Sequence, residues 1–78
     1  MSEQSTKDVL DIIFTVLTKV MKKPIHTFII RDNHEDDVNY LKSLIKGEFT
    51  EDNFKNLLKE KFTLNSIGNK TVELIPKK

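Results

Sequence analysis

The densest gathering of metal-binding side-chain types in the chain is the run DNHEDD, where Asp32, His34, Glu35, Asp36 and Asp37 fall within six residues. Calcium is the first chemistry to test. An EF-hand loop needs glycine at its sixth place for the sharp turn and glutamate at its twelfth to hold the ion with both oxygens. Counted from Asp32, those places hold Asp37 and Ser43, so the match fails. Helix-start chemistry explains the run better. Asp32 and Glu35 have capping-box spacing, and further acids in a first turn favour the positive end of a helix. An acidic patch of this kind can also mimic phosphate charge or dock a basic partner.

His26 and His34 stand eight residues apart without a cysteine or a His-x-x-x-His repeat, so zinc has no ligand set. Serines and threonines are present, yet neither a glycine-rich phosphate loop nor a nucleophile elbow accompanies them. A domain this small rarely closes an active-site cleft. The expectation is therefore a protein without catalytic residues, metal or cofactor, acting by binding.

Binding by charge is the remaining chemistry. Formal net charge is only +1, but the distribution is uneven. Residues 1–30 carry four lysines against three acids, residues 31–52 three basic groups against seven acids, and residues 53–78 six lysines against two acids. An acidic middle and a basic C-terminal third can steer a partner of opposite sign.

Seventy-eight residues give one domain over 1–78, with loose ends expected at 1–4 and 76–78. Cysteine is absent, so packed apolar side chains must hold the fold, with a second subunit as a natural supplement. The longest apolar run, around Ile12 to Leu17, is far below the roughly 20 residues of a membrane span. With the polar start MSEQSTKD it points to a cytoplasmic protein.

The pattern predicts a helix over 5–23, opened by Ser5 and Asp8 as a capping box and ended by Lys22, Lys23 and Pro24. Its apolar residues spread over about 200° of the helical wheel, wider than the stripe a surface helix needs. Ile12 and Phe14 lie at opposite margins of that face. Ile12, Phe14, Leu17 and Met21 are accordingly the expected interface with a protein partner or a second copy.

IHTFIIR, 25–31, reads as a strand, and its consecutive Phe28, Ile29 and Ile30 predict cover on both faces. A second helix is expected over 34–46, stopped by a left-handed Gly47. Thr50 then caps a third helix, with Phe49 and Phe54 at the spacing of a hydrophobic staple. Phe54, Leu57, Leu58 and Phe62 face inward, while Asp52, Lys55, Asn56 and Lys59 face outward. The closing segment FTLNSIGNKTVELIP predicts a hairpin with Leu64 opposite Val72 and Phe62 opposite Leu74. Its loop would be Ile67, Gly68 and Asn69, the last two tolerant of positive φ.

Helix, strand, helix, tight turn, helix and hairpin, in that order, resemble the winged helix-turn-helix superfamily over nearly the whole chain. The resemblance implies an α+β fold of three helices with a small antiparallel sheet. It also implies a third helix that enters the major groove of double-stranded DNA and a hairpin tip that touches an adjacent groove. On this chain it nominates Asn53, Lys55, Asn56, Lys59 and Lys61 on the helix, and Ser66, Asn69 and Lys70 on the wing. A DNA-binding transcription regulator or accessory factor is what that implies, and the wide apolar face of the first helix adds the expectation of a homodimer.

Chemistry pulls in both directions. Lysines neutralise phosphates, and asparagine amides pair with adenine edges. Against this, the single arginine, Arg31, precedes the second helix, and Glu51 and Asp52 occupy the first turn of the third. The alternative is a protein-interaction module, an inhibitor or adaptor of the sort carried by phages and other mobile elements. It would act through the acidic 32–37 segment or the apolar first helix. A solvated helix face explains the same lysines without any ligand.

Overall fold

A computed structural model describes residues 6–31 and 36–77. Helix α1 spans Thr6–Met21, strand β1 Thr27–Ile30, helix α2 Asp37–Leu44, helix α3 Glu51–Lys61, strand β2 Phe62–Ser66 and strand β3 Thr71–Pro76. Element order and α+β class are those expected. No helix among the described residues is long and apolar enough to cross a membrane.

The sheet order is β1-β3-β2, which makes β3 the central strand. β2 pairs with it antiparallel, whereas β1 pairs with it parallel, from Thr27 opposite Thr71 to Ile30 opposite Leu74. The sheet is therefore mixed and not wholly antiparallel. A parallel neighbour requires a long crossover, and α2, α3 and β2 together provide one. β1 lies on an edge and is covered on one face only. Ile30 is fully buried and the Phe28 ring packs 5.7 Å from that of Phe14 on α1, while Ile29 between them remains 41% exposed.

The hairpin register differs from expectation by two residues. Leu64 pairs with Leu74 and Phe62 with Pro76, and Ile67–Lys70 forms a four-residue loop closed by the Ile67 N–H donating to the Thr71 carbonyl at 3.2 Å. A slip of two keeps every side chain on its own face, so Phe62, Leu64, Val72 and Leu74 still look inward. The longer loop needs no left-handed residue, and Gly47 is the glycine with positive φ among those described. Pro76 closes β3, and the Lys77 N–H donates to the Lys61 carbonyl at 2.8 Å.

α1 ends earlier than predicted, at Met21, with Lys22 taking a left-handed φ of 61° and donating its N–H to the Thr18 carbonyl at 2.7 Å. That position usually falls to glycine, because a Cβ there crowds the following carbonyl. Lys22→Gly should accordingly raise stability by about 1 kcal/mol and the thermal midpoint by a few degrees. Circular dichroism melts of the two proteins check it.

α2 is shorter than predicted. Asp36 caps it, accepting from the Asn39 N–H at 3.3 Å, and Ile45 turns extended immediately after Leu44. Gly47, with φ +95°, redirects the chain two residues later, so the connection to α3 runs over 45–50 and not 47–49. The cap proposed at Asp32 and Glu35, the helix start at His34 and the Ser5 cap all lie outside the described residues.

At α3 the local reading holds. Thr50 Oγ1 accepts from the Asn53 N–H at 3.2 Å, and the Phe49 and Phe54 rings stack with centroids 5.4 Å apart. Thr50→Ala leaves that amide without its acceptor and should cost about 1 kcal/mol, measurable as a lower urea midpoint.

The core is one cluster. Val9, Ile13, Val16 and Leu17 of α1 meet Phe54, Leu57 and Leu58 of α3, Leu41 of α2, and Ile30, Phe62, Val72 and Leu74 of the sheet. α1 is thus central, and its wide apolar face is mostly consumed by its own chain.

Candidate docking cleft

That consumption redraws the interface nominated on α1. Leu17 is fully buried and therefore belongs to the core. Ile12, Phe14 and Met21 are half-buried against it. Val20, not among the four nominated, is 41% exposed although it continues the stripe of Val9, Ile13 and Val16, because it lies one turn further along, near the end of α1.

Val20 opens onto a cleft of about 400 Å³ bounded by the end of α1, the flank of α3 and the inner face of β2. Val20, Leu58, Phe62 and Leu64 supply its apolar walls, and its remaining lining residues are Lys55, Lys59 and Lys77. Every charged group of the lining is a cation. The arrangement follows from local geometry. Lys55 and Lys59 lie four residues apart on one helix face, and the backbone passes directly from α3 into β2. That junction brings Phe62 and Leu64 beneath Leu58. Lys77 arrives from the end of β3, and its Nζ donates to the Lys59 carbonyl at 2.9 Å, satisfying a backbone oxygen at the negative end of α3.

The other nominated residues go elsewhere. Asn53 is half-buried, and its side-chain amide reaches back to donate to the Glu48 carbonyl at 2.6 Å, bracing the turn before α3. Asn56 is exposed. Lys61 lines a separate depression with Tyr40, Leu44, Glu60, Phe62, Pro76 and Lys77. Ser66 is bound through its hydroxyl by the Lys23 ammonium, and Asn69 and Lys70 are exposed in the hairpin loop. Lys23, which was not nominated, joins the hairpin because α1 ends beside β2. Its position two residues beyond the helix gave no sequence signal of that neighbour.

Charge on α3 is balanced, with Lys55, Lys59 and Lys61 against Glu51, Asp52 and Glu60. Glu51 pairs with Lys19 of α1 at 3.2 Å, an exposed contact that holds the acid close to α1. At the sheet's outer face Glu73 meets Arg31 at 3.6 Å and accepts from Asn65 at 3.3 Å. The described cations of the C-terminal third therefore divide into the cleft group, Lys70 in the hairpin loop and Lys61. Of the acidic 32–37 segment, Asp36 serves as a helix cap, and 32–35 lie outside the described residues. Among the described residues no three His, Cys, Asp or Glu side chains gather as a metal site would require.

The chain matches no protein-family model, no curated protein and no solved structure.

Proposed function

We propose that this chain is a small non-catalytic protein-interaction module that engages an acidic partner through the cleft between α1, α3 and β2. One observation carries the reading: apolar walls from Val20, Leu58 and Leu64 under a rim whose charges, Lys55, Lys59 and Lys77, are all positive. Apolar walls reward a partner's aliphatic or aromatic side chain by removing it from water. The rim rewards carboxylates beside that anchor and repels basic competitors.

Duplex DNA is the second reading, favoured by the exposed Asn69 and Lys70 of the hairpin and by Lys23 at Ser66. It uses the apolar walls for nothing. It also sets a charge-balanced helix, with Asn53 already engaged, against phosphates.

Selection of peptides from a random display library against the folded protein separates the two. The expected outcome is enrichment of sequences that combine apolar and acidic residues and no longer bind a Leu64→Glu variant. Failure to enrich any peptide, together with amide shifts at Asn69 and Lys70 on adding a random duplex at low salt, would replace this reading with the second.

A further inference from the structure

β2 is an edge strand, paired with β3 on one side only. In an antiparallel ladder the backbone groups of alternate residues point toward and away from the partner. The bonds that bracket the hairpin, Ile67 N–H to Thr71 O at 3.2 Å and Lys77 N–H to Lys61 O at 2.8 Å, fix which are which. Stepping by two between them, Thr63 and Asn65 bond toward β3. Leu64 and Ser66 therefore direct their N–H and C=O groups to the open side.

The cleft lies against that same side. Its lining comes from α1, α3 and β2, and β3 adds no residue of its own before Lys77. Leu64 thus contributes its side chain to the cleft wall and its backbone to the open edge.

We propose that the partner binds as an added strand on β2, a mode that rests on the cleft reading and specifies it. An extended segment bonded to Leu64 and Ser66 sends every second side chain to the helical side of the sheet. There the space between Val20, Leu58 and Leu64 receives it. Lys23 lies at the Ser66 end of the edge, and Lys55, Lys59 and the side chain of Lys77 line the cleft beside it. The fitting occupant is an acidic extended peptide with aliphatic residues at two alternate central positions and carboxylates at its ends. Edge strands left open also invite pairing between copies, and lysines along such an edge discourage it. Here the lysines repel a second β2 while attracting an acidic strand.

The experiment uses a synthetic eight-residue peptide of that composition and two backbone N-methylated versions, titrated into the full chain by fluorescence anisotropy. Two central neighbouring residues are methylated in turn, because only one of them bonds to β2. One version should weaken binding by about tenfold, since a methyl removes a hydrogen bond and wedges the strands apart, and the other should bind unchanged. Equal affinity of all three peptides would overturn strand addition while leaving the cleft reading in place. No binding by the unmethylated peptide, with the library also failing, would remove both. Amide shifts at Leu64 and Ser66, absent at Thr27–Ile30, would place the added strand on β2; shifts confined to β1 would contradict it.

Discussion

Phe54→Ala is expected to remove most of the protein's stability. The ring is fully buried, stacks on Phe49 at 5.4 Å and belongs to the cluster where α1, α3 and the sheet meet. Truncating a buried phenylalanine costs about 3–5 kcal/mol, the sum of lost transfer energy and an unfilled cavity. A 78-residue domain holds about 4–12 kcal/mol in total, so the loss is of the same size as the whole. Urea unfolding followed by circular dichroism should show a midpoint near zero denaturant, or no cooperative transition. Phe49→Ala should fall short of this, because Phe49 lies before the helix and keeps 4% of its surface exposed. Part of the two losses should be shared through the ring pair, so a double variant should cost less than their sum by about 1 kcal/mol. A midpoint for Phe54→Ala no lower than that of a surface substitution would mean that the core is organised differently.

The part of the fold written in short-range chemistry was readable in advance. Thr50, Phe49 and Phe54 mark the start of α3 because a cap and a staple involve only residues within five positions of one another. The inward set on β2 and β3 was readable for a similar reason, since alternation fixes faces whatever the register. The register itself slipped by two residues because loop length decides it, and Gly68 suggested a tighter turn than the chain makes. Strand direction was harder still. Nothing local in IHTFIIR distinguishes a parallel edge from an antiparallel one; the path of the intervening helices decides.

The site divides along the same line. Lys55 and Lys59 were visible as an outward pair on one helix. Their partners in the cleft, Val20 and Lys77, come from segments 35 or more positions before Lys55 and 18 after Lys59, and only tertiary packing brings them together. Conversely, Asn53 looked like a free amide until the Glu48 carbonyl was found beside it. Leu17 looked like surplus on a 200° face because a wheel shows how wide an apolar face is and not how much neighbouring chain covers it.

Reversing the rim is the second large expected effect. The triple variant Lys55→Glu, Lys59→Glu, Lys77→Glu should bind the acidic peptide at least about a hundredfold more weakly, because attraction becomes like-charge repulsion at the mouth of an apolar cleft. Its fold should survive. All three side chains are exposed, and substitutions on such surfaces usually change stability by about 0.5 kcal/mol or less each. Losing the Lys77 contact to the Lys59 carbonyl adds a small cost at the end of α3, which a thermal melt of the triple variant measures directly. The control is Lys61→Glu with Lys70→Glu, which reverses two charges outside the cleft lining. Peptide affinity should be unchanged in that control at any salt concentration. Under the DNA reading the outcome differs, because Lys70 lies in the hairpin loop and phosphate contacts add without regard to the cleft, so the control would lose duplex binding along with the triple variant. Loss of peptide binding confined to the triple variant, recovered when the peptide's carboxylates are replaced by lysines, would show that sign complementarity at the cleft sets recognition. Equal loss in both variants would show a diffuse field acting on any polyanion, and the cleft would then have no part in it.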